Sequence, residues 1–132
     1  MDNSISIWRY IRPYLKNNAD LQAKMNTNNI LPLVVNENTP YPWVVFHRDN
    51  ISVTYTKPIK GGFDNRVSFA LDVYSNDYDE SLDVANIIRN ILEQLKINTE
   101  EIIIHEIEVI SISEQYTQDG FRQSIQFQAW VE

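Results

Sequence analysis

The residues of this chain that could do chemistry are two histidines, His47 and His105, and paired carboxylates at Asp79-Glu80, Glu100-Glu101 and Glu106/Glu108. A metal shared by His47 and His105 would need both side chains to meet carboxylates such as Asp49 or Glu106. The histidines fall in two different predicted strands, where alternation gives each an ordinary surface or sheet position. Asp79 and Glu80 open a predicted helix, where the positive end of the helix dipole stabilises negative charge by ~0.3 to 1 kcal/mol. That accounts for the pair without catalysis. Glu106 and Glu108 share one face of a strand and could act as acid and base in a cleft, but a solvated strand face is their ordinary role. The expectation is no metal, no cofactor and no catalytic residue.

Phosphate chemistry is equally unsupported. The one glycine pair, Gly61-Gly62, lacks the Lys-Ser/Thr that follows it in a phosphate-binding loop. Nucleic-acid binding draws most of its non-specific affinity from a basic footprint. Here Arg9, Arg12 and Lys16 fall near one side of the first predicted helix, and Lys57, Lys60 and Arg66 gather about a loop. These are weak patches on an acidic chain. Trp8, Trp43 and Trp130 are too far apart in sequence to read as a base-stacking platform, and each fits a core or interface role better.

The elements that must position these residues follow from composition and periodicity. At 132 residues, with 43% hydrophobic and 11% aromatic content, the chain has enough apolar surface for one core and is predicted to form a single domain over residues 1–132. There is no cysteine, which removes disulfides and cysteine zinc sites. No apolar run reaches the ~20 residues that cross a bilayer, and no signal-peptide pattern is present, so no membrane partner is expected. The net charge of -7 is unevenly spread: residues 1–71 hold 8 Lys+Arg against 5 Asp+Glu, and residues 72–132 hold 3 against 13. Such asymmetry suits a face used for association, or simply a helix and a hairpin with solvated acidic sides.

Ile7, Trp8, Ile11, Tyr14 and Leu15 recur at helical spacing, predicting a helix from about Ser4 to Lys16 that Pro13 should kink or end early. Asn18 is placed to cap a short second helix through Met25, with Asp20 in its first turn. Asn26 to Asn29 reads as a loop, Ile30 to Val35 as an edge strand interrupted by Pro32, and Trp43 to Tyr55 as a strand. Lys57 to Asn65 has the proline, glycine and Asx content of a loop. Arg66 to Ser75 alternates as a half-buried strand with Val67, Phe69, Leu71 and Val73 on one face. Asp77 to Glu80 has capping-box spacing ahead of a helical stripe of Leu82, Ala85, Ile88, Ile91, Leu92 and Leu95. Glu101 to Tyr116 and Phe121 to Val131 form a hairpin turning near Asp119-Gly120, and a change of parity between Val109 and Ile110 predicts a β-bulge. The fold class is therefore α+β: an antiparallel sheet of four to five strands on one long helix, with a kinked N-terminal helix and a short second one.

Pro40-Tyr41-Pro42-Trp43-Val44-Val45-Phe46, then Leu71-Asp72-Val73-Tyr74 leading into the amphipathic helix, and the closing Phe127-Gln128-Ala129-Trp130-Val131 resemble the tail terminator, or tail completion, family of long-tailed bacteriophages. The likeness spans nearly the whole chain. It implies a structural protein of the virion tail, made in the bacterial host cytoplasm, that forms a homo-oligomeric ring, typically a hexamer, on the head-proximal end of the tail tube. Such a ring stops tube polymerisation and presents a head-joining surface, so its partners would be the tube protein and a head-completion or connector protein. The resemblance implies no specific nucleic-acid binding, and an acidic lumen would repel DNA passing through it. Two other readings fit the residues: a head-completion connector, or a small-molecule enzyme using Glu106, Glu108 or His105. The candidate assembly loop is Thr56 to Arg66, with Lys57, Ile59, Lys60, Gly61, Gly62, Phe63 and Arg66, expected to be mobile in the isolated subunit and ordered by a neighbour or by the tube through Ile59 and Phe63; the alternative is an ordinary flexible hairpin loop.

Overall fold

Two long hairpins supply most of the protein's hydrogen-bonded framework. In the computed structural model, which describes residues 3–55 and 63–132, a six-stranded sheet is backed on one face by three helices. The strands are β1 (Ile30–Pro32), β2 (Trp43–Tyr55), β3 (Phe63–Ser75), β4 (Ile97–Asn98), β5 (Ile103–Thr117) and β6 (Gly120–Val131). Their spatial order is β1-β2-β3-β6-β5-β4. The helices are α1 (Ile7–Lys16), α2 (Ala19–Lys24) and α3 (Tyr78–Leu92).

Alternation decides what the sheet buries. Val67, Phe69, Leu71 and Val73 of β3 and Ile125, Phe127, Ala129 and Val131 of β6 all turn to the helices and are at most 1% exposed. Both sets match the faces expected from their period-two pattern. Aromatic rings link the layers: Trp8 of α1 stacks on Phe46 at 4.5 Å, Phe46 meets Phe69 at 5.5 Å, and Phe69 stacks on Phe127 at 5.3 Å between centroids. The row therefore crosses from a helix through three adjacent strands.

Several expectations need correction. The sheet has six strands, because the two-residue β4 adds to the edge opposite β1 and is too short to show a period. It is mixed, because β1 runs parallel to β2. β1 stops at Pro32, whose ring nitrogen has no hydrogen to donate. The three expected helices are present, but the sheet does not pack on one long helix alone: Ile7, Ile11 and Leu15 of α1 and Leu21 of α2 are as fully buried as Ile88 and Leu92 of α3. α3 ends at Leu92, short of Leu95, and its buried stripe is Ser81, Val84, Ala85, Ile88 and Leu92, with Leu82 and Ile91 only half-buried at its margins. The segment Thr27–Asn29 is a turn of 3-10 helix capped by Asn26, not an irregular loop. β3 begins at Phe63, so Phe63 to Asn65 belong to the strand, where they pair with Tyr55, Thr54 and Val53.

Pro13 does not end α1. The helix runs on to Lys16, and the Asn17 N–H closes its last turn on the Pro13 carbonyl at 3.0 Å. Asn18 caps α2 as expected, its Oδ1 accepting from the Leu21 N–H at 3.0 Å. The bulge expected at Val109/Ile110 is present, and further irregularities occur at His105 in β5 and Asp49 in β2.

The capping of α3 is relayed. Asp77 Oδ1 accepts from the Asp79 N–H at 3.0 Å. Glu80 reaches back to Ser75, whose hydroxyl donates to Glu80 Oε1 at 2.7 Å and accepts from the Asp77 N–H at 3.0 Å. A fully buried serine at the end of β3 thus joins strand and helix through one chain of bonds. Replacing Asp77 by Ala should lower stability by about 1 kcal/mol, within the ~0.5 to 2 kcal/mol usual for a lost N-cap. Urea unfolding monitored by circular dichroism would measure it, and an unchanged midpoint would show that the cap contributes nothing.

Candidate assembly surfaces

The face of the sheet away from the helices is the first candidate surface. After β1 the chain crosses this face through residues 33–42 and enters β2 behind a cis Tyr41–Pro42 peptide. The Tyr41 hydroxyl donates to the Asp119 carbonyl at 2.6 Å, tying the crossing segment to the β5–β6 turn. Between segment and sheet lies a groove of ≈ 650 Å³ with Leu33, Val34, Trp43, Val45 and Tyr74 among its walls. Leu33 and Val34 are 72% and 75% exposed. On its floor Trp43 stacks on Tyr74 at 4.1 Å between centroids.

His47 stands at one end of this groove between two carboxylates. Its Nδ1 lies 2.8 Å from Asp49 Oδ1 and its Nε2 3.3 Å from Asp72 Oδ2. Among the described residues no group of three or more His, Cys, Asp or Glu could hold a metal ion, and His105 sits elsewhere, 3.0 Å from Glu132. Glu106 and Glu108 lie along the outer face of β5, opposite Trp130 and Gln128 of β6. The structure therefore does not gather the residues weighed for catalysis into one site.

The expected assembly loop is only partly described. Lys57, Ile59, Lys60, Gly61 and Gly62 lie outside the described residues, as does most of the segment from Thr56. Phe63 is the first residue of β3. Arg66 is exposed, with its guanidinium carbon 4.1 Å from the centre of the Trp130 ring, a cation–π contact across two neighbouring strands. The basic side of α1 is also real: Arg9, Arg12 and Lys16 border, with Trp8 and Pro13, a groove of ≈ 420 Å³.

A surface not singled out from the sequence is the distal half of β5. Ser111 to Tyr116 are all exposed, including Ile112 at 47% and Tyr116 at 72%, and Ile110 before them is 52% exposed. At its centre Glu114 Oε1 accepts from the Tyr78 hydroxyl at 2.8 Å and from Gln123 Nε2 at 3.3 Å. The hydrogen bond to the Glu114 carboxylate, followed by desolvation and nearby negative charge, holds the Tyr78 phenol above its ordinary pKa.

A mixed sheet backed by helices on one face and crossed by residues 33–42 on the other, with an exposed strand among the described residues, defines a small α+β protein with broad surfaces for contact. The family model described as "Tail completion protein gp17" matches residues 9–132, and the chain belongs to that family. It is thus a structural component of a phage or phage-like virion tail, as the family resemblance implied. In fold it is similar to a chain in the solved "Virion of native gene transfer agent (GTA) particle", with TM-score 0.77 and 15% identity over 92% of this chain and 91% of that one. No curated protein matches.

Proposed function

We propose that this protein closes the head-proximal end of the tail tube as a ring of identical subunits, by resemblance six, which stops tube growth and offers the surface to which the head is joined. Membership of the tail completion family over residues 9–132 is the observation that carries the reading. The geometry supports it. A ring needs a heterologous contact, one patch meeting a different patch on the neighbour, and this subunit has basic groups on α1 and an acidic β5 on different elements. Its own partners are then the tube protein on one side and a head-completion or connector protein on the other.

Purified tail tubes incubated with the protein and imaged by negative-stain electron microscopy test this. Rings should appear at one end only, and tubes grown in its presence should be shorter than those grown alone. Tubes with bare ends and unaltered length would refute the reading, and binding to head portals in place of tube ends would reassign the protein to the connector side of the joint.

A further inference from the structure

The sheet is unfinished on both flanks. β1 covers β2 only opposite Val44, Val45 and Phe46, with one further bond from the Leu33 N–H to the Phe46 carbonyl at 2.8 Å. From Arg48 to Tyr55 no described strand lies on that side of β2. β4 covers β5 only opposite Ile103 and Ile104, and the Gln94 N–H donates to the Ile107 carbonyl at 2.8 Å. From Glu108 to Tyr116 no described strand lies there either. Monomeric proteins shield such rows of backbone donors and acceptors with lysine, proline or very short strands. Glu108 to Tyr116 contains neither lysine nor proline, and carries only Glu108, Glu114 and the bulge at Ile110 against such pairing.

The turn fixes which backbone groups point outward. A two-residue hairpin loop closes on a hydrogen-bonded pair, here Thr117 and Gly120. Antiparallel pairs alternate between bonded and non-bonded, so the N–H and C=O groups of Tyr116, Glu114 and Ile112 must point to the open flank. On β2 the outward bond of the Phe46 carbonyl sets the same alternation. The pairing of Ile51 with Val67 beyond the bulge at Asp49 then makes Arg48 and Ile51 outward-pointing. All these residues also share the helix side of the sheet.

Orientation and charge select the partner. β2 and β5 are separated by three antiparallel pairings and so run in opposite directions. A second copy set alongside in the same orientation therefore offers β2 antiparallel to β5. β5 carries Glu106, Glu108 and Glu114 with no Lys or Arg, whereas β2 carries Arg48, with its one acid, Asp49, sitting at the bulge 2.8 Å from His47. Two β5 strands side by side would bring these acids together, which is unfavourable for directly opposed residues.

We propose that β5 of one copy pairs with β2 of the next, Ile112 opposite Ile51 and Glu114 opposite Arg48, so that the sheet continues from subunit to subunit. This rests on the ring reading and assigns the surface that makes the ring. Both charged side chains are held ready: Glu114 by Tyr78 and Gln123, and Arg48 by its Nη1 donating to the Ile5 carbonyl at 2.7 Å.

The test uses the full chain with tail tubes, counting rings by microscopy, and sedimentation at rising concentration. Ile112→Pro removes one outward N–H without touching the β6 ladder, so it should melt like the parent and form no rings. Glu114→Arg and Arg48→Glu should each weaken assembly by about tenfold or more, and the double variant should regain most of it. If Ile112→Pro fails to fold, the charge exchange decides alone. Rings formed equally well by Ile112→Pro or by both single charge variants would overturn the edge assignment while leaving the ring intact. Loss with Glu114→Arg but not with Arg48→Glu would overturn β2 as the partner. A parent chain that forms no ring at all would overturn both the assignment and the reading beneath it.

Discussion

Truncating Phe69 to Ala should remove about 3 to 5 kcal/mol of stability, the range for a fully buried aromatic residue in a packed core. Phe69 is fully buried and stands between Phe46 and Phe127, with centroids 5.5 and 5.3 Å away. Its loss leaves both neighbours without a packing partner in the middle of the sheet. Because small domains have only about 5 to 15 kcal/mol in total, the melting temperature should fall by roughly 10 to 25 °C. Differential scanning calorimetry measures this directly. A drop of less than about 1 kcal/mol would mean that the core repacks into the space and that the ring ladder is not what fixes the layers.

The second large effect is expected at Gly120. Its φ is +104°, and a Cβ there would lie 2.6 Å from the carbonyl oxygen of Ser75. Replacement by Ala brings a left-handed backbone penalty of about 1 to 2 kcal/mol and an overpacking cost of about 1 to 3 kcal/mol. The clash falls on backbone, which no rotamer change can move aside. Since Ser75 also holds the Asp77 N–H and Glu80, the strain should reach the start of α3. Hydrogen exchange should show faster opening of the first turn of α3 as well as of the β5–β6 turn. Exchange unchanged at α3 would separate the two.

What the sequence made legible was whatever a local period could express. β2 is found with the bounds that its apolar and β-branched run implies, and the core faces of β3 and β6 follow their alternation residue by residue. The bulge beside Ile110 was readable because a slip of one residue reverses parity. What escaped was set by neighbours distant in sequence. β4 has two residues and exists only as the partner of Ile103 and Ile104. The parallel sense of β1 is decided by the path of the crossing segment, not by its own residues. α1 and α2 show an apolar stripe, but nothing in that stripe says that it lies beside α3 on the same sheet. The expected assembly loop, most of which lies outside the described residues, draws attention in the sequence because glycine and proline mark loops plainly. The exposed strand is signalled more quietly, by Ile110 and Ile112 in a segment without lysine or proline.

The two shortest strands, β1 with three residues and β4 with two, lie at opposite ends of the sheet's flanks. Within one subunit Ile112 is level with Phe46, through Ile125 and Leu71. In the proposed contact it meets Ile51 of the neighbour, four paired positions further along β2 once the bulge at Asp49 is allowed for. At ~3.3 Å per residue each copy is therefore displaced along its strands by about 13 Å relative to the last. Upright strands would turn that displacement into a rising screw, and repeated addition would build a filament. A level, closed ring removes the rise only by leaning every strand away from the ring axis, as shear and tilt are linked in a closed barrel. By covering opposite ends of the two flanks, these two small strands would fix the slope at which the subunits stand.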